Sequence, residues 1–185
     1  MSFCTRLFLT ATLLFSTSFV HASLYDDDVL DIFSKILPRI ILMSSQKSKI
    51  QDDIHVCILH DDVDSDVVLR FIDKIDNNYP QGIKNHPIDI VNSDYTDLNL
   101  CQDTQLTFLF NSSAENIDKS IVFLNEHSIL TLAYDQKLLR NGVNVSLFLG
   151  RKVVPYINMK SFENNGIRLD NILLRVSKIY VEDVH

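Results

Sequence analysis

The chain has 185 residues, 46% of them hydrophobic, and a formal net charge of −7, which suits one ordinary domain with a sizeable core. An acidic chain of this kind lacks the basic stripe that a phosphate backbone requires, so we expect no nucleic-acid partner. Anionic lipid surfaces are disfavoured for the same reason, although one basic patch could still exist on an acidic protein.

The first 22 residues have the pattern of a secretory signal peptide. Arg6 precedes an apolar run over residues 7–20, and small residues then lead to Ala22, where signal peptidase would cut. A bilayer core of ~30 Å needs about 20 apolar residues, so a retained membrane anchor is the weaker alternative. We predict cleavage after Ala22, a single domain over residues 23–185, and no membrane-inserted segment in the mature, exported chain.

Two cysteines would remain after cleavage, because Cys4 lies in the predicted leader. In an oxidising compartment, an even number of cysteines favours a disulfide between Cys57 and Cys101. Cys57 lies in one predicted strand and Cys101 just precedes another, so neighbouring strands could bring the two together. Two buried free thiols are the alternative.

Helices and strands are predicted to alternate over the first two thirds of the mature chain. An amphipathic helix is expected at residues 29–41, and Pro38 should kink or shorten it. Strands are predicted at 54–59, 88–91, 106–110 and 129–133, with helices at 64–75 and 117–124. This alternation is typical of parallel crossover units. We therefore predict a three-layer α/β domain with a mostly parallel sheet and helices on both faces.

The last third of the chain has a different pattern. Residues 143–149 alternate strictly between apolar and polar side chains, Gly150-Arg151 forms a two-residue turn, and residues 152–158 return, which predicts a β-hairpin. Pro155 would suit an edge strand. A final helix is predicted over residues 167–181 from its apolar spacing.

The acids that follow the first predicted strand could suggest a calcium site. Asp62, Asp64 and Asp66 alternate as the first ligands of a calcium loop do. The rest of that loop is missing, since Val67 stands at its glycine position and Asp73 at its glutamate position. We interpret these acids as caps of the helix that follows, placed at the positive end of its dipole.

Polar residues follow two of the predicted parallel strands. His60, Asp61 and Asp62 follow the first, and Asn111 and Ser112 follow the strand at 106–110. Because the carboxyl ends of parallel strands meet at one edge of a sheet, these residues are candidates for a cleft that binds a small ligand. A receiver-type phosphorylation site is disfavoured, because it needs an acid after the later strand and a cytoplasmic location.

No motif in the chain has the spacing of a catalytic or metal site. The histidines show no paired metal-ligand spacing, no serine lies in a nucleophile elbow, and four glycines form no phosphate-binding loop. We therefore expect no catalytic residues, no metal and no cofactor. A secreted enzyme is the weakest of the alternatives.

The closing block of the sequence resembles the YfiR-like periplasmic family. It has a glycine-led strand, a return strand that ends in an aromatic, an aliphatic and an asparagine residue, and a glycine before the last helix. The positions that carry this resemblance are Gly142, Tyr156, Asn158 and Gly166. The strand around Cys57, and Cys101 before an apolar strand, are also similar to the family pattern.

The resemblance implies a small periplasmic α/β protein, often a homodimer, that represses a membrane diguanylate cyclase by binding its periplasmic sensor domain. Redox control through Cys57 and Cys101 would fit such a repressor. Two departures stand out, since the chain has no tryptophan and lacks the second cysteine pair of some members before the closing strands. Because of the first departure, the resemblance does not identify the partner-binding surface. A small-ligand-binding module remains the alternative function.

Overall fold

A computed structural model of the protein describes residues 25–182, so the predicted signal peptide lies outside the described residues. The described residues form one sheet of seven strands. The strands are β1 (Ile54–His60), β2 (Ile88–Asp94), β3 (Leu106–Leu109), β4 (Leu130–Ala133), β5 (Val145–Leu149), β6 (Val153–Ile157) and β7 (Lys178–Ile179). The helices are α1 (Asp27–Leu42), α2 (Ser65–Asn78), α3 (Ala114–Glu126), α4 (Met159–Asn165) and α5 (Asn171–Val176).

The sheet is mostly parallel, as predicted. Its spatial order is β2-β1-β3-β4-β5-β6-β7, and all neighbours are parallel except the antiparallel pair β5 and β6. β1 and β3 are neighbours, and the strand that follows each in the chain lies on its outer side, β2 beyond β1 and β4 beyond β3. The connection through α2 therefore lies on one face and the connection through α3 on the other, because parallel crossovers are right-handed.

Two hydrophobic clusters, one on each face of the sheet, make up the core. The larger cluster packs α1, α2, α4 and α5 against alternate residues of the strands, and Phe33, Phe71 and Phe108 lie at its centre. The smaller cluster packs Ile117, Ile121 and Leu124 of α3 against the remaining strand residues. This arrangement confirms the predicted three-layer α/β fold with helices on both faces.

Helix α1 is longer than its apolar pattern predicted. Asp26 caps it, since its Oδ1 accepts hydrogen bonds from the backbone N–H of Asp28 at 2.8 Å and of Val29 at 3.1 Å. Pro38 lies inside the helix and does not end it early, because α1 continues to Leu42. The buried ring of Pro38 packs into the core, and this packing offsets the hydrogen bond that proline removes.

The hairpin of β5 and β6 is confirmed, but the prediction for the end of the chain was wrong. In place of one helix over 167–181, the chain forms the short helix α5 and then β7, which pairs with β6 at Tyr156 and Ile157. Sequence reasoning also missed α4. Pro155 does not lie on an edge strand, because β7 pairs with the outer side of β6. That pairing begins at Tyr156, so no strand is paired with the outer side of β6 at Pro155.

A disulfide joins Cys57 of β1 to Cys101, the last residue of the 3-10 turn Leu98–Cys101. The two Cα atoms are 5.3 Å apart, and both residues are fully buried in the cluster under α3. The bridge ties β1 to the connection between β2 and β3. It therefore closes a loop that includes α2 and the edge strand β2.

We expect the double substitution of Cys57 and Cys101 by alanine to lower the free energy of unfolding by up to ~4 kcal/mol. The chain-entropy model gives this figure for a closed loop spanning 44 residues. The measurement is urea unfolding of the oxidised protein, the reduced protein and the variant. If all three unfolded at the same urea concentration, the bridge would not contribute to stability.

Candidate functional site

The first candidate site is the crevice between the carboxyl ends of β1 and β3. These two strands are neighbours, but the chain leaves them toward opposite faces of the sheet. In open α/β sheets, ligands bind at such a switch point. His60 and Asp61 lie at the end of β1, and Asn111 and Ser112 lie just beyond β3, so the predicted candidates do lie at this edge.

The side chain of Tyr25 fills this crevice. It is only 3% exposed, and its hydroxyl donates a hydrogen bond to Oδ2 of Asp64 at 3.0 Å. The hydroxyl oxygen of Tyr25 accepts a hydrogen bond from the backbone N–H of Asn111, also at 3.0 Å. The ring packs edge-on against Phe110 and Tyr134, with 4.8 Å between centroids in each case. The chain thus places its own aromatic residue where related folds place a ligand.

The start of helix α1 holds Tyr25 in this position. The backbone N–H of Asp26, the next residue, donates a hydrogen bond to the hydroxyl of Tyr134 at 2.8 Å. Asp26 also caps α1, whose apolar face is anchored in the larger cluster. Tyr25 is therefore fixed on both sides, by the crevice and by the helix.

The structure brings some of the predicted site residues together but not others. The hydroxyl of Ser112 donates to Oδ1 of Asp61 at 2.8 Å, and it accepts from Nδ2 of Asn116 at 2.9 Å. His60 is buried, and its Nδ1 lies 2.9 Å from the backbone oxygen of Asp61. Asp62 is exposed in the 3-10 turn Asp62–Asp64. The structure therefore does not group it with the other predicted site residues.

Asp64 does not cap helix α2 as expected. It is the N-cap residue, but its side chain makes no capping hydrogen bond and accepts from Tyr25 instead. Burial raises the pKa of Asp64, the hydrogen bond from Tyr25 opposes that rise, and the nearby charge of Asp61 adds to it. Burial also raises the pKa of Tyr25 and of Tyr134. The phenols therefore act as neutral hydrogen-bonding groups at physiological pH.

The chemistry of this edge is that of a packed structural contact. Residues 25–182 contain no group of three His, Cys, Asp or Glu side chains placed to hold a metal ion. The side chain of Asn111 lines a small cavity of about 290 Å³ beside Tyr134 and Leu149, away from His60 and Asp61. The buried ring of Tyr25 occupies the crevice between the ends of β1 and β3.

Sequence reasoning missed Tyr25. It lies three residues after the predicted cleavage site, and no periodic pattern includes it. The available signal was an aromatic residue directly before the acidic run at residues 26–28, which caps the first helix. That signal identifies a helix start but not the crevice, which exists only after β1 and β3 have paired.

The four closing-block positions have local structural roles. Gly142 and Gly166 have φ angles of +103° and +70° and end the 3-10 turn Gln136–Asn141 and helix α4, respectively. Asn158 caps α4 and donates from Nδ2 to the backbone oxygen of Leu139 at 2.7 Å. Tyr156 is half-buried between the rings of Phe148 and Tyr180.

The described residues define a three-layer α/β domain whose switch-point crevice is filled by Tyr25. A family model described as YfiR/HmsC-like matches residues 43–178. The chain belongs to this family, whose members are periplasmic regulators of diguanylate cyclase signalling and are not generally enzymes. Helix α1 and Tyr25 lie outside the matched residues.

Solved structures with a similar fold are distant in sequence. A conserved domain protein from Vibrio cholerae O1 biovar eltor has a TM-score of 0.58 at 10% identity, over 81% of this chain and 59% of that one. The ABC domain from Streptococcus pneumonia, in complex with L-Trp, has a TM-score of 0.60 at 6% identity, over 80% and 60%. This chain thus spans about three fifths of each. At these identities the likeness concerns the fold alone.

No curated protein matches this chain in sequence. Within residues 25–182, no helix is both long enough and apolar enough to cross a membrane.

We expect Tyr25→Ala to lower the free energy of unfolding by about 3–5 kcal/mol, as other buried aromatic truncations do. Tyr25→Phe should cost about 1–3 kcal/mol, because it leaves the partly buried N–H of Asn111 without its acceptor. Urea unfolding measures both values. As a control, p-cresol should raise the melting temperature of Tyr25→Ala and leave that of the wild type unchanged. A Tyr25→Ala protein as stable as the wild type would refute the anchoring role.

We expect Asp64→Asn to change stability in a pH-dependent way. Because the folded pKa of Asp64 is raised, the stability linked to its protonation is present below about pH 3.9 and is lost as pH rises through the folded pKa. Asparagine stays neutral, so the variant should match the wild type near pH 3 and exceed it at pH 7. Unfolding at both pH values tests this, with the exposed Asp62→Asn as control. A variant less stable than the wild type at pH 7 would show that the Tyr25 hydrogen bond dominates.

Proposed function

We propose that the protein is a non-enzymatic periplasmic regulator that binds the periplasmic sensor region of an inner-membrane diguanylate cyclase and represses it. The observation that carries the proposal is the match of residues 43–178 to the YfiR/HmsC-like family. Repression would lower cyclic-di-GMP and thereby set the biofilm or motility state. The predicted signal peptide would deliver the chain to the compartment where such a sensor region lies.

The filled crevice supports recognition of a protein partner over recognition of a small ligand. Tyr25 takes the position at the switch point, and its hydroxyl already bonds to Asp64 and to the backbone of Asn111. A small ligand would have to displace this ring and leave those groups unpaired, which costs free energy. A partner that binds the outer surface meets no such cost.

The disulfide supports a structural role in this function. Cys57 and Cys101 are fully buried, so a reductant reaches the sulfur atoms only after local opening. Redox control of repression requires that the oxidised and reduced forms differ in affinity for the partner. We propose that reduction would act by loosening the fold around β1 and β2, and thereby lower the fraction of competent repressor.

The test is a pull-down of the periplasmic protein from envelope membranes, together with cyclic-di-GMP measurement in a deletion strain. We expect capture of a diguanylate cyclase, encoded by a neighbouring gene, and a rise in cyclic-di-GMP that a plasmid copy reverses. A plasmid copy carrying Cys57→Ala and Cys101→Ala should reverse it less well. Absence of any cyclase in the pull-down, with unchanged cyclic-di-GMP after deletion, would contradict the proposal.

A further inference from the structure

The charges of this chain are strongly segregated along the sequence. Residues 25–135 carry 20 acids and eight lysines or arginines, a net charge of −12. Residues 136–178 carry two acids and eight lysines or arginines, a net charge of +6. The second segment builds β5, β6, β7, α4 and α5, which together form one end of the sheet. An acidic protein thus has one basic end.

The cations at this end are not neutralised by carboxylates of the described chain. Within residues 25–182, the ion pairs of lysine and arginine involve Lys35, Lys47, Arg70, Lys74 and Lys119. None of the eight cations of residues 136–178 takes part in one. Their positive charge is therefore available to attract an anionic partner.

Two of these cations line a cavity of about 450 Å³. Exposed Arg140 and Lys160 lie on it, from the 3-10 turn Gln136–Asn141 and from α4. The other polar residues that line it are Asn141, Asn158, Ser161, Asn164, Tyr180 and one acid, Glu182. The side chain of Asn141 donates from Nδ2 to Oδ1 of Asp118 at 3.0 Å. Arginine and amide groups are the donors that suit a carboxylate.

The floor of this cavity is held by a buried hydrogen-bond network. Ser161 donates its backbone N–H to Oδ1 of Asn158 at 3.2 Å, and its hydroxyl accepts from Nδ2 of Asn144 at 2.8 Å. Asn144, fully buried, in turn bonds through Oδ1 to the N–H of Thr131 at 2.9 Å. A floor fixed in this way loses little freedom when a ligand binds.

An aromatic strip continues from the cavity across the last three strands. The rings of Phe148, Tyr156 and Tyr180 contact edge-on in sequence, with centroid distances of 5.9 and 5.6 Å. The ammonium group of Lys178 lies 3.8 Å from the centre of the Phe148 ring. Partly exposed tyrosine and phenylalanine side chains are enriched in protein interfaces.

We propose that this basic end binds an acidic segment of the protein partner, with carboxylates in the cavity between Arg140 and Lys160 and the segment lying along the aromatic strip. The inference rests on the proposed function and adds to it the docking surface and the chemistry of the partner. The partner is a protein rather than a lipid surface, because the site is a polar cavity with an aromatic border.

The first test measures binding of the periplasmic segment of the neighbouring cyclase to the wild type and to two charge-reversal variants. Arg140→Glu with Lys160→Glu changes the cavity, and Lys84→Glu with Lys119→Glu makes the same charge change at exposed positions elsewhere. We expect the cavity variant to raise Kd about tenfold or more and the control to change it less than about threefold. Equal weakening by both variants, or none by either, overturns the inference and leaves the proposed function intact.

A second test does not depend on the cyclase. Titration of the isotope-labelled protein with N-acetyl-tetraglutamate should shift amide NMR signals within residues 137–182, and the uncharged tetraglutamine peptide should not. The shifts should disappear in the Arg140→Glu, Lys160→Glu variant. Shifts spread over the whole surface, or binding to phosphatidylglycerol vesicles through the same two cations, would overturn the proposal. Failure of the wild type to bind the cyclase segment, with this titration positive, would refute the proposed function alone.

Discussion

The contact of Tyr25 with the ends of β1 and β3 is the constraint on which the rest of the account depends. Parallel pairing of these strands creates a crevice, and open α/β sheets normally use such a crevice for a ligand. Here a phenol bonded to Asp64 and Asn111 occupies it. Because Asp26 then caps α1, the same contact fixes where the first helix lies on the sheet. This filled crevice is why we propose that the partner binds on an outer surface.

The other end of the sheet has the opposite character. The crevice edge is acidic and tightly packed, whereas the end of the sheet at β5, β6 and β7 has partly exposed aromatic rings and an open cavity. Arg140 and Lys160, which line that cavity, form no ion pair within residues 25–182. The disulfide stabilises the strands β1 and β2, far along the sheet from β6 and β7. We therefore propose that stability and recognition depend on different ends of one sheet. The chain belongs to the YfiR/HmsC-like family, and in the proposed function the basic end would bind the diguanylate cyclase.

Much of the fold was predictable because it depends on local apolar periodicity. The β-branched run at β1, the amphipathic face of α2 and the alternation in β5 and β6 each identify their elements, and an even number of cysteines favoured the bridge. The end of the chain was not predictable in this way. The stripe at residues 167–181 has helical spacing, but β6 offers an open edge that captures Lys178 and Ile179 as a strand. The role of Tyr25 and the approach of Arg140 and Lys160 to one cavity could not be predicted, because both depend on tertiary contacts. A count of charges by segment would, however, have indicated a basic end.

Hydrogen exchange of the protein, with and without the periplasmic segment of the cyclase, would show which end of the sheet binds the partner. We expect binding to slow exchange at the basic end, in residues 137–182, and to leave exchange of the amides around Tyr25 and Asn111 unchanged. Protection of the crevice between β1 and β3, with unchanged exchange at the basic end, would contradict it. That result would place recognition at the switch point and require Tyr25 to leave its site.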